Sequence, residues 1–104
     1  MIKIIVCCSQ GMSSSALMQK MRNYISSAGI DVEVHAATTS QIMANEVTFD
    51  IIMLGPQIRF EKTKLQKAYP DKVIEVIPMQ SYGRLDGEGV VKFALKLLED
   101  KEGK

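Results

Sequence analysis

The run Ile4-Ile5-Val6 is apolar and β-branched and stops abruptly at a pair of thiols, Cys7-Cys8. A loop of mostly small and polar residues, Ser9-Gln10-Gly11-Met12-Ser13-Ser14-Ser15, then leads into a helical pattern at Ala16-Leu17. Strand, short loop and helix in this order can turn several backbone N–H groups toward one point, with the first turn of the helix behind them. An anion fits at that point. A cysteine there is expected to be a thiolate, because the N-terminal end of a helix favours the negative form. The charge pattern agrees: between Met1 and Ile30 the only charged side chains are Lys3, Lys20 and Arg22, and the first acid is Asp31. The stretch therefore reads as a phosphate cradle with a nucleophile, Cys8, at its rim.

With 104 residues, the chain is expected to form one domain over 1–104. Its net charge of +1 and the absence of a basic block argue against nucleic acid as a partner. No apolar run approaches the roughly 20 residues that span a bilayer, and the first residues lack the order of a secretion signal. The expected location is the cytoplasm. The two cysteines are adjacent, and a disulfide between neighbours is strained, so they are not a folding staple.

Along the chain, residues 2–7 suit a central strand buried on both faces. A helix is expected over about 14–28, with Leu17, Met21, Tyr24, Ile25 and Ala28 on one face, Ser13 or Ser14 as its cap and Gly29 at its end. From Ile30 to Ala36, Val32 and Val34 alternate with acids and His35, which suits a strand nearer the sheet edge. Thr38 to Glu46 reads as a short helix capped by Thr39 or Ser40. Ile51-Ile52-Met53-Leu54 is a second apolar strand, stopped by Gly55-Pro56. A helical pattern from Gln57 to Tyr69 carries Ile58, Leu65, Ala68 and Tyr69. Val73 to Ile77 is a further strand, and Met79 to Leu85 a loop. Asp86 caps a last helix with Val90, Phe93, Ala94, Leu97 and Leu98 inside and Lys101 and Lys104 near its negative end.

Four strands alternating with helices predict an α/β fold: a parallel sheet covered on both faces, a three-layer sandwich. Ligands of such sheets bind beyond the carboxyl ends of the strands. The loop starting at Cys8 lies there, as do Gly55-Pro56-Gln57 and the segment around Tyr82. The expected site is shallow and assembled from three loops.

A cysteine followed by five residues is also the loop length of cysteine-dependent phosphatases, which place an arginine where Ser14 stands. That arginine grips phosphate and stabilises the transferring group. Low-molecular-weight phosphatases also carry an acid in a late Asp-Pro pair; this chain has Pro70-Asp71, the reverse order. With neither group, phosphate captured on Cys8 is expected to be held rather than hydrolysed, which is the behaviour of a carrier.

Cys8-Ser9-Gln10-Gly11-Met12-Ser13-Ser14-Ser15 resembles the phosphocysteine loop of the cytoplasmic B component (enzyme IIB) of the bacterial sugar phosphotransferase system, lactose/cellobiose/chitobiose family. The likeness extends to Leu54-Gly55-Pro56-Gln57-Ile58, to Val73-Ile74-Glu75-Val76-Ile77, and to Tyr82-Gly83 with Asp86-Gly87 and Gly89-Val90, in order and at the family's spacing. The resemblance implies a sheet in the order 2-1-3-4 and a phosphoryl relay. Cys8 would take phosphate from a phosphohistidine on the A component (enzyme IIA), and backbone N–H groups of Ser9, Gln10, Gly11, Met12, Ser13 and Ser14 would cradle it. The membrane C component (enzyme IIC) would then present a disaccharide as acceptor. Gly55, Pro56, Gln57 and Tyr82 would form the rim or touch a partner. No cofactor and no metal are implied. Transfer between neighbours in a relay needs positioning and charge stabilisation more than a strong acid.

Other residues have plainer readings. Neighbouring strand residues point to opposite faces, so Cys7 is expected to face helices rather than phosphate. Ser13, Ser14 and Ser15 can serve as helix caps. His35, the one histidine, is expected to be a solvated surface residue, with no partners at metal spacing. Methionines on helix faces read as core filler. Two further functions stay open on the residues alone. One is a small cysteine-dependent phosphatase or arsenate-reductase-like enzyme; the other is a thiol sensor using Cys7 and Cys8, although adjacent cysteines are poor redox partners.

Overall fold

In the computed structural model, which describes residues 1–7, 15–45 and 48–102, four parallel strands form one sheet. They are β1 (Ile2–Cys7), β2 (Val32–Ala37), β3 (Ile51–Leu54) and β4 (Val73–Val76), in the order β2-β1-β3-β4. β1 is central, with Ile4 opposite Val34 on one side and Ile51 on the other. Its last four residues are buried because both faces are covered.

The period of two along β1 and β3 divides the core. Ile4, Val6, Ile51 and Met53 face α1 (Ser15–Ala28) and α5 (Gly87–Glu102), meeting Leu17, Met18, Met21, Val90, Val91 and Ala94. Ile5, Cys7, Ile52 and Leu54 face the other way, toward Ile42 of α2 (Thr39–Met43) and Leu65 of α3 (Lys62–Ala68). The structure is thus the expected three-layer sandwich in 2-1-3-4 order. On the first face the helices approach very closely. A Cβ at Gly87 would lie 2.4 Å from the carbonyl carbon of Lys20 and from the amide nitrogen of Met21. Only a residue without a side chain lets α5 start against the backbone of α1.

Several local expectations are corrected. α1 buries Met18, whereas Ala28 is exposed. The cap of α2 is Thr38, not Thr39 or Ser40. Its hydroxyl accepts from the Gln41 amide while the Gln41 side chain accepts from the Thr38 amide, a reciprocal capping box. The segment expected as one helix from Gln57 is two. A 3-10 helix at Pro56–Glu61 with non-helical backbone at Ile58 precedes α3. Met79 to Leu85 is not wholly a loop, since α4 spans Met79–Gly83. The caps proposed at Ser13 and Ser14, the helix end at Glu46, and Lys104 lie outside the described residues. Asp86 does cap α5, its carboxylate accepting from the Gly89 amide at 3.0 Å. Gly29 ends α1 at φ 66°, in the region where a glycine carries no steric penalty.

Candidate functional site

Three strands deliver their carboxyl ends to one edge of the sheet, at Cys7, Leu54 and Val76. The ladder continues beyond them: the Gly55 amide donates to the Cys7 carbonyl at 2.9 Å, and the Ile77 amide to the Leu54 carbonyl at 2.8 Å. The end of β1 is thereby tied to the start of the Gly55-Pro56-Gln57 segment. α1 resumes at Ser15 with no acidic residue in its first turn. Cys8, Ser9, Gln10, Gly11, Met12, Ser13 and Ser14, between these two fixed ends, lie outside the described residues.

Gly55 is where the other candidates meet. A Cβ there would fall 2.9 Å from Gln57 Oε1, 3.7 Å from the Cys7 carbonyl oxygen and 3.7 Å from Tyr82 Cε2. The structure therefore brings Gly55, Gln57 and Tyr82 together beside the last residue of β1. Pro56 is buried and opens the 3-10 helix, while Gln57 is exposed. The Tyr82 amide donates to the Pro78 carbonyl at 3.0 Å. Its ring is half-buried against the α1–α5 core. Pro56, Gln57, Tyr82 and Gly83 line an open pocket of about 370 Å³ together with Arg59 and Met79. These last two were not singled out from the sequence. The signal available for Met79 was its place directly after the strand-ending Pro78, on the ligand edge of the sheet. Arg59 gave no periodic signal, because the turn that carries it is 3-10 rather than α.

Cys7 is fully buried, its sulfur 3.5 Å from the Thr39 hydroxyl in the α2–α3 core. As expected, it faces helices. His35 is exposed and pairs with Glu33 at 2.9 Å. The hydrogen bond to His35, opposed by slight desolvation, holds the Glu33 carboxyl below the usual range. Among the described residues no group of three His, Cys, Asp or Glu side chains could hold a metal ion. No helix among them is long and apolar enough to cross a membrane.

The fold defines a class. The solution structure of a cellobiose-specific phosphotransferase IIB component from Borrelia burgdorferi superposes with a TM-score of 0.79 at 31% identity, covering 96% of this chain and 94% of that one. The lactose-specific IIB component domain from Streptococcus pneumoniae shares the fold, with a TM-score of 0.78 at 18% identity over 91% of this chain and 95% of that one. Residues 3–93 match the family described as PTS system, Lactose/Cellobiose specific IIB subunit, and the chain belongs to that family. Among curated relatives, the oligo-beta-mannoside-specific EIIB component of Bacillus subtilis is 38% identical over 94% of this chain and 97% of its own length. The cellobiose-specific EIIB component of Lactococcus lactis subsp. lactis is 32% identical over 91% of this chain and 94% of its own length. The chain is accordingly a IIB component of a sugar phosphotransferase system.

Proposed function

We propose that this chain carries a phosphoryl group on Cys8, between a phosphohistidine of the A component and a disaccharide of the cellobiose, chitobiose or lactose class presented by the membrane C component. The observation that carries the reading is the family match over residues 3–93, a span that includes the whole loop from Cys8 to Ser14. The thiolate attacks phosphorus in line; the S–P bond forms, the P–N bond breaks, and the imidazole leaves as a neutral ring after taking a proton. The sugar hydroxyl later attacks the same phosphorus: the O–P bond forms, the S–P bond breaks, the hydroxyl proton passes to solvent, and the thiolate is regenerated. Amides of residues 9 to 14 neutralise the phosphoryl oxygens, and Gly55, Pro56, Gln57 and Tyr82 form the rim. The work is done in the cytoplasm, with visits to the inner face of the membrane.

Burial of Cys7 supports the same reading over a two-thiol sensor, since a sulfur with no exposed surface is closed to oxidants while the protein is folded. The test is intact mass before and after exposure to the phosphorylated A component, with the modified peptide mapped. A gain of one phosphoryl group on Cys8, iodine-labile and lost in Cys8→Ser, is expected. Stable phosphate on His35 with Cys8 unmodified would overturn the proposal.

A further inference from the structure

Both outer strands of the sheet present a row of main-chain groups with no neighbouring strand among the described residues. Such a row is a template for pairing with another chain. The parity of the ladder says which groups these are. The Asp31 carbonyl accepts from the Ile2 amide, so the odd-numbered residues of β2 turn their main chain to β1, and Val32, Val34 and Ala36 turn theirs outward. On β4 the Ile77 amide donates to the Leu54 carbonyl, so Ile74 and Val76 turn theirs outward.

On each edge a side chain occupies one of these outward groups. Arg22, reaching across from α1, donates to the Val34 carbonyl at 2.8 Å. On the other edge the Val76 amide donates to Glu75 Oε1 at 3.1 Å, and Lys62 Nζ donates to the same oxygen at 2.8 Å. Both guards are charged. A strand arriving at either edge must break a charge-assisted hydrogen bond and take an ionic group out of water before its own ladder can form.

We propose that Arg22 of α1, bonded to the β2 edge, and Glu75 of β4, held by Lys62 of α3, keep the two open edges from pairing with a second copy of this chain. The edges are suited to one another: β2 of one copy beside β4 of the next would extend the parallel order β2-β1-β3-β4 into a continuous sheet. That contact is head-to-tail and need not close, so its product is an open-ended assembly rather than a defined dimer. The guards sit in the middle of the six-residue β2 and at the carboxyl end of the four-residue β4, leaving no unguarded run long enough for a stable pairing.

Sedimentation velocity over a concentration series tests this, on wild type, Arg22→Ala, Glu75→Ala and the double variant. Far-UV circular dichroism checks that each is folded. The wild type should sediment as a monomer, and self-association should strengthen roughly tenfold for each guard removed. Arg22→Lys, which keeps a cationic donor, should remain monomeric. Val91→Ala, or Val90→Ala if that variant does not fold, loosens the core from α5, which carries neither guard, and should stay monomeric despite its lower stability. The proposal is overturned if the folded double variant sediments as wild type at every concentration. It is equally overturned if the core variant associates to the same extent.

Discussion

Gly55, Gly87 and Gly89 act by what they keep out. At Gly87 a methyl group would strike the backbone of α1, which cannot step aside, so Gly87→Ala should cost about 2–3 kcal/mol; thermal melts followed by circular dichroism would measure it. At Gly89 the added atom would meet the Asp86 carboxylate, 2.2 Å away. That side chain can rotate off its cap, and Gly89→Ala should lose only about 1 kcal/mol. A fall for Gly89→Ala equal to that for Gly87→Ala would mean that the α1–α5 approach is softer than its geometry. Gly55 differs again, because the nearest obstacle is the flexible end of Gln57. Gly55→Ala should leave the melting temperature nearly unchanged yet slow phosphoryl acceptance on Cys8, read as the rate of mass gain with a phosphorylated A component. Unchanged transfer would remove Gln57 from the working rim. The thiol itself offers a simpler check. Alkylation of Cys8 against pH should show a midpoint below the free-cysteine value of about 8.5, and a midpoint at or above it would count against the cradle.

Elements that bury at least one side chain were legible in the sequence, and the described helix that buries none was not. β1 and β3 stood out because every residue of Ile51–Leu54 and the end of β1 is buried, giving unbroken apolar runs. α1 and α5 stood out because each lays one side against the sheet. α4 was invisible: its five residues include none that is buried, and Met79 is 68% exposed, so no period existed to read. The helical pattern after Gly55 was real but its pitch was not, since Ile58 and Leu65 are both buried across a break at Ile58 itself. At the site, Gly55, Pro56, Gln57 and Tyr82 could be placed on one edge because parallel strands all end on the same side of the sheet. The pocket they share with Arg59 and Met79 depends on how two short helices settle, which no local pattern encodes. The cap of α2 lies before both expected positions because Thr38, Thr39 and Ser40 are all competent caps, and the Gln41 side chain selects Thr38 by closing the box. Thr38→Ala should accordingly speed hydrogen exchange at the Gln41 amide while leaving β1 amides protected; equal exchange would mean that the cap is idle.

Over the whole molecule, acid sensitivity should enter through the guarded β4 edge. Partial burial pushes the Glu75 carboxyl up, but hydrogen bonds from Lys62 and the Val76 amide, with the Lys62 charge, outweigh it and hold the carboxyl below the usual glutamate range. A carboxyl lowered in the folded state contributes stability that is fully present above its unfolded value of about 4.3 and is lost as pH falls through the folded value. Wild type should therefore lose more stability than Glu75→Gln between neutral pH and about pH 3, as measured by urea titrations at each pH. A parallel decline in the two proteins would remove Glu75 as a source. The order β2-β1-β3-β4 bears also on how the protein is made. The strand synthesised first is the one that must be hydrogen-bonded twice, and both neighbours emerge later. A ribosome that has not yet released residue 54 holds a chain whose most oily segment still has one bare flank, with α1 and β2 as its earliest shelter. A pause in translation before that point would thus expose the stretch most apt to clump, and chaperone crosslinks to nascent chains should cluster on residues 2–7 until β3 has emerged.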